Sequence, residues 1–410
     1  MSRPADGQFP PVAAIGTMNP ACDIFCHVID NFGDAGVCWR LARQMVSEHQ
    51  LAVRLWITDL DCFRRLCPQA DPLLRQQRCQ GVEVCRWDAD MPAVTPAALV
   101  IEAFACQLPR PYLLAMAEQS PPPVWINLEY LSAEPWVDGC HQVASPSPDL
   151  PLTKYFFFPG FSRNTSGLLL EQDLIARREA FDTMQKAAFW QSLNIPAPSP
   201  GTLCVSLFCY ENNGLPDLLE AWSRGPLSVL CLVPEGRVIP LIERYAGGPL
   251  AYGKPYTKGN LQVQKLPFVA QAQYDALLWA CDINIVRGED SFVRALWAGK
   301  PFVWHIYPQH DDVHWVKLQA FLDRYLPEMS TPAGTDASSS LSRHGGAAAL
   351  GQFWKAWNAG RGMAEAWNAF LPWRQAIASP ASNWARFHAD NRLTRNLLYF
   401  WQEIAKLPKL

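Results

Sequence analysis

The stretch CDINIVRGEDSFVRALWAGKPFVWHIYPQ, residues 281–309, decides the fold of this chain. Its apolar run INIV predicts a buried strand, RGEDS predicts a polar turn, and apolar residues then recur at helical spacing as far as Gly299. Pro301 follows that glycine closely and marks the helix stop. Asp290 or Ser291 is the predicted N-cap. This order of strand, turn and helix is typical of a doubly wound α/β domain.

The polar turn in this stretch carries groups that suit a diphosphate. Arg287 is a permanent cation, and Gly288 allows a ligand to approach the backbone closely. The Ser291 hydroxyl and the N–H groups at the helix start can bind phosphate oxygens. Glu289 can bind a sugar hydroxyl or an incoming cation. The competing interpretation is an ordinary capped helix in which the arginine and the glutamate pair locally.

A second α/β unit begins near the N-terminus. The run DIFCHVI (23–29) predicts a strand, and a turn from Asp30 to Gly36, a helix and the strand LAVRLWI (51–57) follow. The turn lacks the G-x-G-x-x-G pattern of dinucleotide sites, and the carboxylates of Asp30 and Asp34 would repel a pyrophosphate. They suit a general base or a cation-binding group. Alternatively, the two aspartates only cap the turn and the helix.

Two Rossmann-like domains that face each other across a cleft are therefore expected, with ligands outside the carboxyl ends of the strands. The Pro-rich segment 194–201 predicts the linker between them. The expected organisation is a flexible leader at 1–20, an N-terminal domain at 21–192, a C-terminal domain at 201–379, and a helix at 380–410 that crosses back to the N-terminal domain. The Ser-, Ala- and Gly-rich residues 330–348 predict a mobile surface loop, and residues 384–406 predict one long helix.

Composition excludes several function classes. The chain has 410 residues, a net charge of −3 and a pI of about 6.3, and it has no basic run of the kind that binds nucleic acid or anionic membranes. No apolar run approaches the roughly 20 residues of a membrane span. The leader lacks the apolar core of a signal peptide. The 13 cysteines include no C-x-x-C pair, which favours buried, reduced thiols in a cytoplasmic protein.

Three short patterns resemble metal sites. Asp59-Leu-Asp61 and Asp88-Ala-Asp90 match the D-x-D of metal-dependent transferases, but such patterns are frequent by chance, and Asp59 is better explained as the end of a strand or as a helix cap. His310 and His314 are spaced one helical turn apart, but the intervening residues lack the glutamate of a zinc protease. We therefore expect no metal.

At the two turns the sequence resembles a known family. DIFCHVIDNFGDAGVCWRLARQ (23–44) and VRGEDSFVRALWAGKPFVWHIYPQ (286–309) are similar to the signatures of the arginine rhamnosyltransferases of elongation factor P, the EarP family. IEAFAC (101–106), NLEYLSAE (127–134) and LPFV (266–269) support the match. The resemblance covers most of the chain from about residue 22; the leader and residues 330–348 depart from it.

The resemblance implies a GT-B fold and an inverting transfer from dTDP-β-L-rhamnose to one arginine of elongation factor P, which gives an α-linked product. It implies no cofactor, metal, membrane or nucleic acid. Asp34 matches the family's proposed catalytic aspartate, Asp30 a second essential acid, and Glu289 an essential glutamate beside the donor. The residues that it places around the donor are Asn31, Phe32, Gly33, Tyr210, Phe268, Gln271, Arg287, Gly288, Glu289, Asp290 and Ser291, with thymine held by the stretch 268–271.

Two alternatives remain from the residues alone. One is a GT-B transferase for another nucleotide sugar or another acceptor. The other is a non-catalytic protein that binds a nucleotide sugar, against which the paired acids argue, since a phosphate binder gains nothing from them. A nicotinamide oxidoreductase is disfavoured by the incomplete glycine pattern.

Overall fold

The structure of this chain, a computed structural model, describes residues 21–29, 32–330 and 337–406. The predicted leader, Asp30 and Asn31 lie outside the described residues. Two open sheets with helices packed against them form two halves of the molecule. The carboxyl ends of the parallel strands in each half border a shared cleft, which is described below.

The first sheet has eight strands within the described residues, in the order β3-β4-β2-β1-β5-β6-β8-β7. Only β3 and β7, at its two edges, run antiparallel to their neighbours. Every residue of β1, β5 and β6 is buried, as expected for parallel strands whose two faces are both covered. The strands are β1 (Cys22–Cys26), β2 (Val53–Ile57), β3 (Gln76–Cys79), β4 (Val82–Arg86), β5 (Leu99–Ala103), β6 (Val124–Leu128), β7 (Ala144–Pro146) and β8 (Thr153–Phe157).

The helices of the first half connect these strands and lead to the second half. The first of them buries Trp39, Leu41 and Met45 against the sheet. The last two helices pack into the hydrophobic core of the second half through Leu174, Phe189 and Trp190. The helices are α1 (Phe32–His49), α2 (Leu60–Leu66), α3 (Arg110–Ala117), α4 (Val137–Cys140), α5 (Leu174–Ala180) and α6 (Thr183–Ser192).

The second sheet has six strands in the described part of the chain, in the order β11-β12-β10-β9-β13-β14. All pairs are parallel except that of the edge strand β11. The strands are β9 (Leu203–Leu207), β10 (Val229–Pro234), β11 (Tyr256–Lys258), β12 (Leu261–Leu266), β13 (Ile283–Arg287) and β14 (Phe302–His305). The helices between them are α7 (Leu215–Arg224), α8 (Ile239–Ala246), α9 (Gln271–Ala280) and α10 (Asp290–Ala298).

Five further α-helices follow within the described residues: α11 (Val313–Ser330), α12 (Ala337–Ala359), α13 (Met363–Phe370), α14 (Arg374–His388) and α15 (Leu393–Lys406). The loop predicted at 330–348 is wrong from residue 337 onward, where α12 runs. The small residues that suggested a loop serve helix packing instead: a Cβ at Gly346 would lie 3.0 Å from Ile377 Cδ1. The second half of the same helix buries Phe353 and Trp354 completely.

The C-terminal segment crosses from the second half to the first, as predicted. Trp384 of α14 belongs to the second core, whereas Leu397 and Trp401 of α15 belong to the first. The single long helix predicted for 384–406 is wrong, because the chain is non-helical between α14 and α15. There Leu168 N–H donates to Asn391 O (3.1 Å) and Leu168 O accepts from Leu393 N–H (2.9 Å). With two Rossmann-like sheets and this crossing, the predicted GT-B architecture is confirmed.

Candidate active site

A cleft of about 650 Å³ lies between the two halves, outside the carboxyl ends of their central strands. The cleft brings together ten of the residues predicted around the donor: Phe32, Gly33, Tyr210, Phe268, Gln271, Arg287, Gly288, Glu289, Asp290 and Ser291. Their roles in donor binding stay predictions, and Asn31 and Asp30 lie outside the described residues.

Asp34 lies in the first turn of α1, directly after Gly33, which lines this cleft. The strand predicted to reach Ile29 ends at Cys26, because the next backbone N–H groups turn to side chains. Val28 N–H donates to Thr58 Oγ1 (3.0 Å), and Ile29 N–H donates to Asp34 Oδ2 (2.9 Å). The carboxylate is only 3% exposed and is therefore held in one orientation by the chain that precedes its helix.

The turn between β13 and α10 forms the opposite wall. Gly288 has a φ of 63°, in the left-handed region that favours glycine. The prediction that Asp290 or Ser291 is the N-cap is wrong: Glu289 occupies that position, and no described side chain caps the helix start. Asp290 cannot cap the helix because its carboxylate is engaged by two arginines. The N–H groups at the start of α10 are thus available to an anion.

Arg287 supplies a cation at the end of β13. Its guanidinium carbon lies 4.7 Å from the ring centroids of both Phe208 and Tyr210. The side chain is buried, and its Nε has no hydrogen-bond partner among the described residues. Tyr210 is fixed in turn by edge-on contacts with His305 and Tyr307. A buried guanidinium with an unused donor is a strong site for a phosphate oxygen.

Glu289 faces the first half of the molecule across the cleft. Its Oε2 accepts from Leu131 N–H at 3.1 Å. Burial raises the pKa of Glu289 to about 8, and the nearby Asp34 carboxylate acts in the same direction, against the hydrogen bond from Leu131. At neutral pH the side chain is mostly protonated and adds little negative charge beside a diphosphate.

Asp290 belongs to a buried ion-pair network that joins the two halves. Its Oδ1 accepts from Arg40 Nη1 (2.7 Å) on α1, and its Oδ2 accepts from Arg294 Nε (3.1 Å) on its own helix. Burial acts to raise the pKa of Asp290, but Arg294 and Arg40 outweigh it and hold the pKa below its usual value. Asp290 is therefore ionised and neutralised locally, so its charge does not prevent an anion from binding at the adjacent turn.

Gln271 and Phe268 lie where the thymine is predicted. Gln271 Oε1 accepts from Arg43 Nη2 (2.9 Å) of α1, which ties the start of α9 to the first half. The Phe268 ring lies 5.2 Å from that of Phe32, and the Arg65 guanidinium lies over its face at 5.0 Å. Aromatic and cationic groups from both halves therefore border this end of the cleft.

Several residues of the site were not found from the sequence. Arg294 lines the cleft and is held by Asp290 and by Asp275 (2.7 Å), and its Nη2 has no partner in the described part of the chain. Its spacing of four residues from Asp290 on one helix was the available signal. Arg40 gave no such signal, because its contact with Asp290 spans 250 residues. Tyr130 was part of a quoted motif but had no assigned role.

The short acidic patterns have structural explanations. Asp59 caps α2, as expected, by accepting from Cys62 N–H at 2.8 Å. Asp88 accepts from Arg75 and from Asp90 N–H. Among the described residues there is no group of three or more His, Cys, Asp or Glu side chains placed to hold a metal ion. Similarly, none of the described helices is both long and apolar enough to cross a membrane.

The sequence and the fold of this chain are similar to those of several known proteins. It is 48% identical over 389 residues to a protein-arginine rhamnosyltransferase of Pseudomonas putida, which covers 94% of this chain and 99% of that protein. A protein-arginine rhamnosyltransferase of Pseudomonas aeruginosa is 47% identical over 370 residues, covering 88% and 93%. A solved structure from work on EarP-mediated arginine glycosylation of translation elongation factor EF-P matches with a TM-score of 0.63 and 36% identity, over 93% of this chain and 98% of that one.

The family model for the elongation factor P (EF-P) rhamnosyltransferase EarP matches residues 22–402. This range contains both walls of the cleft, the ion-pair network and the crossing C-terminal segment. This chain therefore belongs to the EarP family of EF-P rhamnosyltransferases.

Proposed function

We propose that this chain transfers L-rhamnose from dTDP-β-L-rhamnose to one arginine of elongation factor P, with inversion at the anomeric carbon. The observation that carries the proposal is the pairing of two unlike walls in one cleft. On one side is Asp34, a buried and oriented carboxylate. On the other is a helix start beside the unsatisfied guanidinium of Arg287. The first wall suits a cationic acceptor and the second a diphosphate.

The donor diphosphate binds at the start of α10. Arg287 Nε and the first N–H groups of the helix donate to its oxygens, and Ser291, which lines the cleft in the first helical turn, adds a hydroxyl. The thymine lies between Phe268 and Gln271. These groups stabilise the negative charge that grows on the departing dTDP as the bond from C1 to the diphosphate oxygen breaks.

The acceptor is chemically demanding, because a guanidinium has a pKa above about 12 and is a poor nucleophile. The Asp34 carboxylate binds its N–H groups directionally and places one nitrogen near C1. As the nitrogen–carbon bond forms on the face opposite the diphosphate, that nitrogen loses a proton to Asp34 and dTDP leaves with the bonding electron pair. The product remains a guanidinium cation, and the configuration at C1 is inverted.

The decisive experiment uses the whole enzyme, elongation factor P and dTDP-rhamnose. Intact-mass and fragmentation spectra should show a single deoxyhexose on one arginine of the factor, and NMR of the glycopeptide should show an α-linkage. The control is the same elongation factor P incubated with UDP-glucose in place of dTDP-rhamnose. Transfer from UDP-glucose but not from dTDP-rhamnose, or dTDP-rhamnose binding without any transfer, would refute the proposal. Because the acceptor is a translation factor, we also propose that the enzyme acts in the cytoplasm.

A further inference from the structure

The segment Glu129–Leu131, which follows β6, contacts both carboxylates of the cleft. The Tyr130 hydroxyl donates to Asp34 Oδ1 at 3.4 Å, and the N–H of the next residue, Leu131, donates to Glu289 Oε2 at 3.1 Å. Asp34 Oδ2 accepts from the Ile29 backbone, so the tyrosine approaches the other oxygen of that carboxylate. One short segment therefore sets the position of an acid in each half of the molecule.

The Tyr130 ring is held by a stacked partner. Its centroid lies 4.4 Å from that of Phe104, with an angle of 16° between the ring planes. Phe104 is buried, and both it and Ala105 have left-handed backbones, with φ of 58° and 53°. Such strain persists only where the surroundings impose it. Here Asn127 Oδ1 accepts from Ala105 N–H (3.1 Å), which holds the strained turn against β6.

The strained turn thus makes Phe104 a fixed support for one face of the tyrosine. Tyr130 is nevertheless 39% exposed. Because Phe104 stacks on one ring face, a planar group that approaches this tyrosine would have to stack on the opposite face. An open aromatic face beside a buried carboxylate is the arrangement that best accommodates a planar cation, since guanidinium groups stack on aromatic rings and pair with carboxylates.

We propose that Tyr130 is a positioning residue for the acceptor. Its hydroxyl orients Asp34 Oδ1, and its open ring face stacks on the guanidinium plane of the acceptor arginine. The inference rests on the proposed function, because it takes the acceptor to be an arginine side chain. To the proposed function the inference adds the surface that distinguishes the planar cation of an arginine from the point charge of a lysine.

The charges around Tyr130 agree with this role. Burial, the Asp34 carboxylate and Glu289 together raise the pKa of Tyr130, so its hydroxyl remains a proton donor at working pH. Because the hydroxyl keeps its proton, it can donate to Asp34 Oδ1 and hold that carboxylate in one orientation.

The test is steady-state kinetics of Tyr130→Phe and Tyr130→Leu with elongation factor P as acceptor, together with dTDP binding by calorimetry. Tyr130→Phe keeps the ring, so we expect kcat to fall roughly tenfold with KM for the factor unchanged. Tyr130→Leu should also raise KM for the factor by about threefold to thirtyfold. Neither variant should change dTDP affinity, and Tyr399→Phe, at an exposed tyrosine on α15, is the matched control.

An unchanged kcat in Tyr130→Phe would overturn the inference, since it would show that the hydroxyl does not act on Asp34. Equal losses of dTDP affinity and of turnover would also overturn it, because they would place Tyr130 on the donor side. Thermal melting of each variant guards against misfolding, and Phe104→Leu offers a second route. That variant removes the stacked support and should reproduce the KM effect without touching the hydroxyl. Failure of the wild-type enzyme to glycosylate the factor would instead refute the proposed function itself.

Discussion

Arg40 Nη1 lies 2.7 Å from Asp290 Oδ1, and this contact joins the helix that carries Asp34 to the turn that we assign to the donor diphosphate. Arg40 follows Asp34 on α1 by six residues and is also held by both oxygens of Glu171, at 2.8 and 2.7 Å. Gly36 permits the close approach of the two helices, because a Cβ there would stand 3.2 Å from Asp290 Oδ2. The spacing between the two walls of the cleft is therefore set by a buried ion pair.

Arg40→Gln should strongly destabilise the protein. The substitution removes the ion pair with Glu171 and leaves Asp290 paired with Arg294 alone. The Arg40 side chain is only 1% exposed, so water cannot replace the lost contacts. Removing one partner of a buried ion pair costs about 3–5 kcal/mol. Urea unfolding followed by tryptophan fluorescence measures this loss. The matched control is Arg224→Gln, whose ion pair with Glu220 is exposed and should contribute about 1 kcal/mol or less. Equal midpoints for the two variants would contradict the role of Arg40.

Asp34→Asn should separate catalysis from donor binding. The amide keeps the size of the side chain but cannot accept a proton, so turnover should fall by roughly a hundredfold or more. Because Asp34 is not among the described residues that line the donor cleft, dTDP-rhamnose affinity measured by calorimetry should stay near that of the wild type. Equal losses of affinity and rate would reassign Asp34 to donor binding.

Arg287→Gln should weaken the donor complex. The variant removes the guanidinium whose Nε is unsatisfied in the described structure, and a charge-assisted hydrogen bond to a phosphate should be worth roughly tenfold or more in the dissociation constant of dTDP. Ser291→Ala should act in the same direction with a smaller effect. Arg237→Gln, at an exposed position of the same half, is the control for loss of charge. If all three variants bound dTDP equally well, the diphosphate would have to bind elsewhere.

Turnover should survive treatment of the enzyme and its substrates with EDTA. In the proposed function, Arg287 and the start of α10 stabilise the charge on the leaving diphosphate, in place of the divalent cation that D-x-D transferases use. The test is to measure the turnover rate with EDTA and again after Mg²⁺ or Mn²⁺ is added in excess. Loss of activity in chelator and its recovery with either ion would show that these groups are insufficient.

The order of the strands and helices was predictable because buried parallel strands are continuous apolar runs. LVIEA, VWINL and INIVR each mark one, and the polar turns between them contain the proposed site. The predicted strand boundaries were wrong where side chains accept hydrogen bonds from backbone N–H groups. Nothing in DIFCHVI shows that Asp34, five residues beyond the run, accepts from Ile29 N–H and stops the ladder at Cys26. The wrong strand boundary therefore hid the hydrogen bond from Ile29 N–H to Asp34, which orients the proposed base.

Composition was a poor guide where small residues have a packing role. The Ser-, Ala- and Gly-rich start of α12 resembled a loop, although glycines at 345 and 346 pack closely on Trp373 and Ile377. Local sequence patterns also could not predict which residues reach the site from distant parts of the chain. Asp290 and Arg294 are one helical turn apart and could have been paired, but Arg40 and Tyr130 reach the site only through the tertiary fold.

Donor affinity should depend on pH through Glu289. Burial raises the pKa of this group to about 8, so it is mostly neutral at pH 7 and becomes a carboxylate as the pH rises past 8. An anionic diphosphate binds better beside the neutral form, and its binding must therefore be coupled to proton uptake. We expect the dTDP association constant to fall above pH 8, by up to about tenfold for each pH unit.

Glu289→Gln removes the titrating group and keeps a neutral side chain of the same shape. Calorimetry at pH 7 and pH 9 should therefore give this variant nearly equal dTDP affinities, while the wild type loses affinity over the same interval. In buffers of different ionisation enthalpy, only the wild type should take up protons on binding at pH 9. A parallel loss in both proteins would show that another group titrates. No loss in either would mean that the charge of Glu289 does not reach the diphosphate, and the donor would then have to bind away from the turn between β13 and α10.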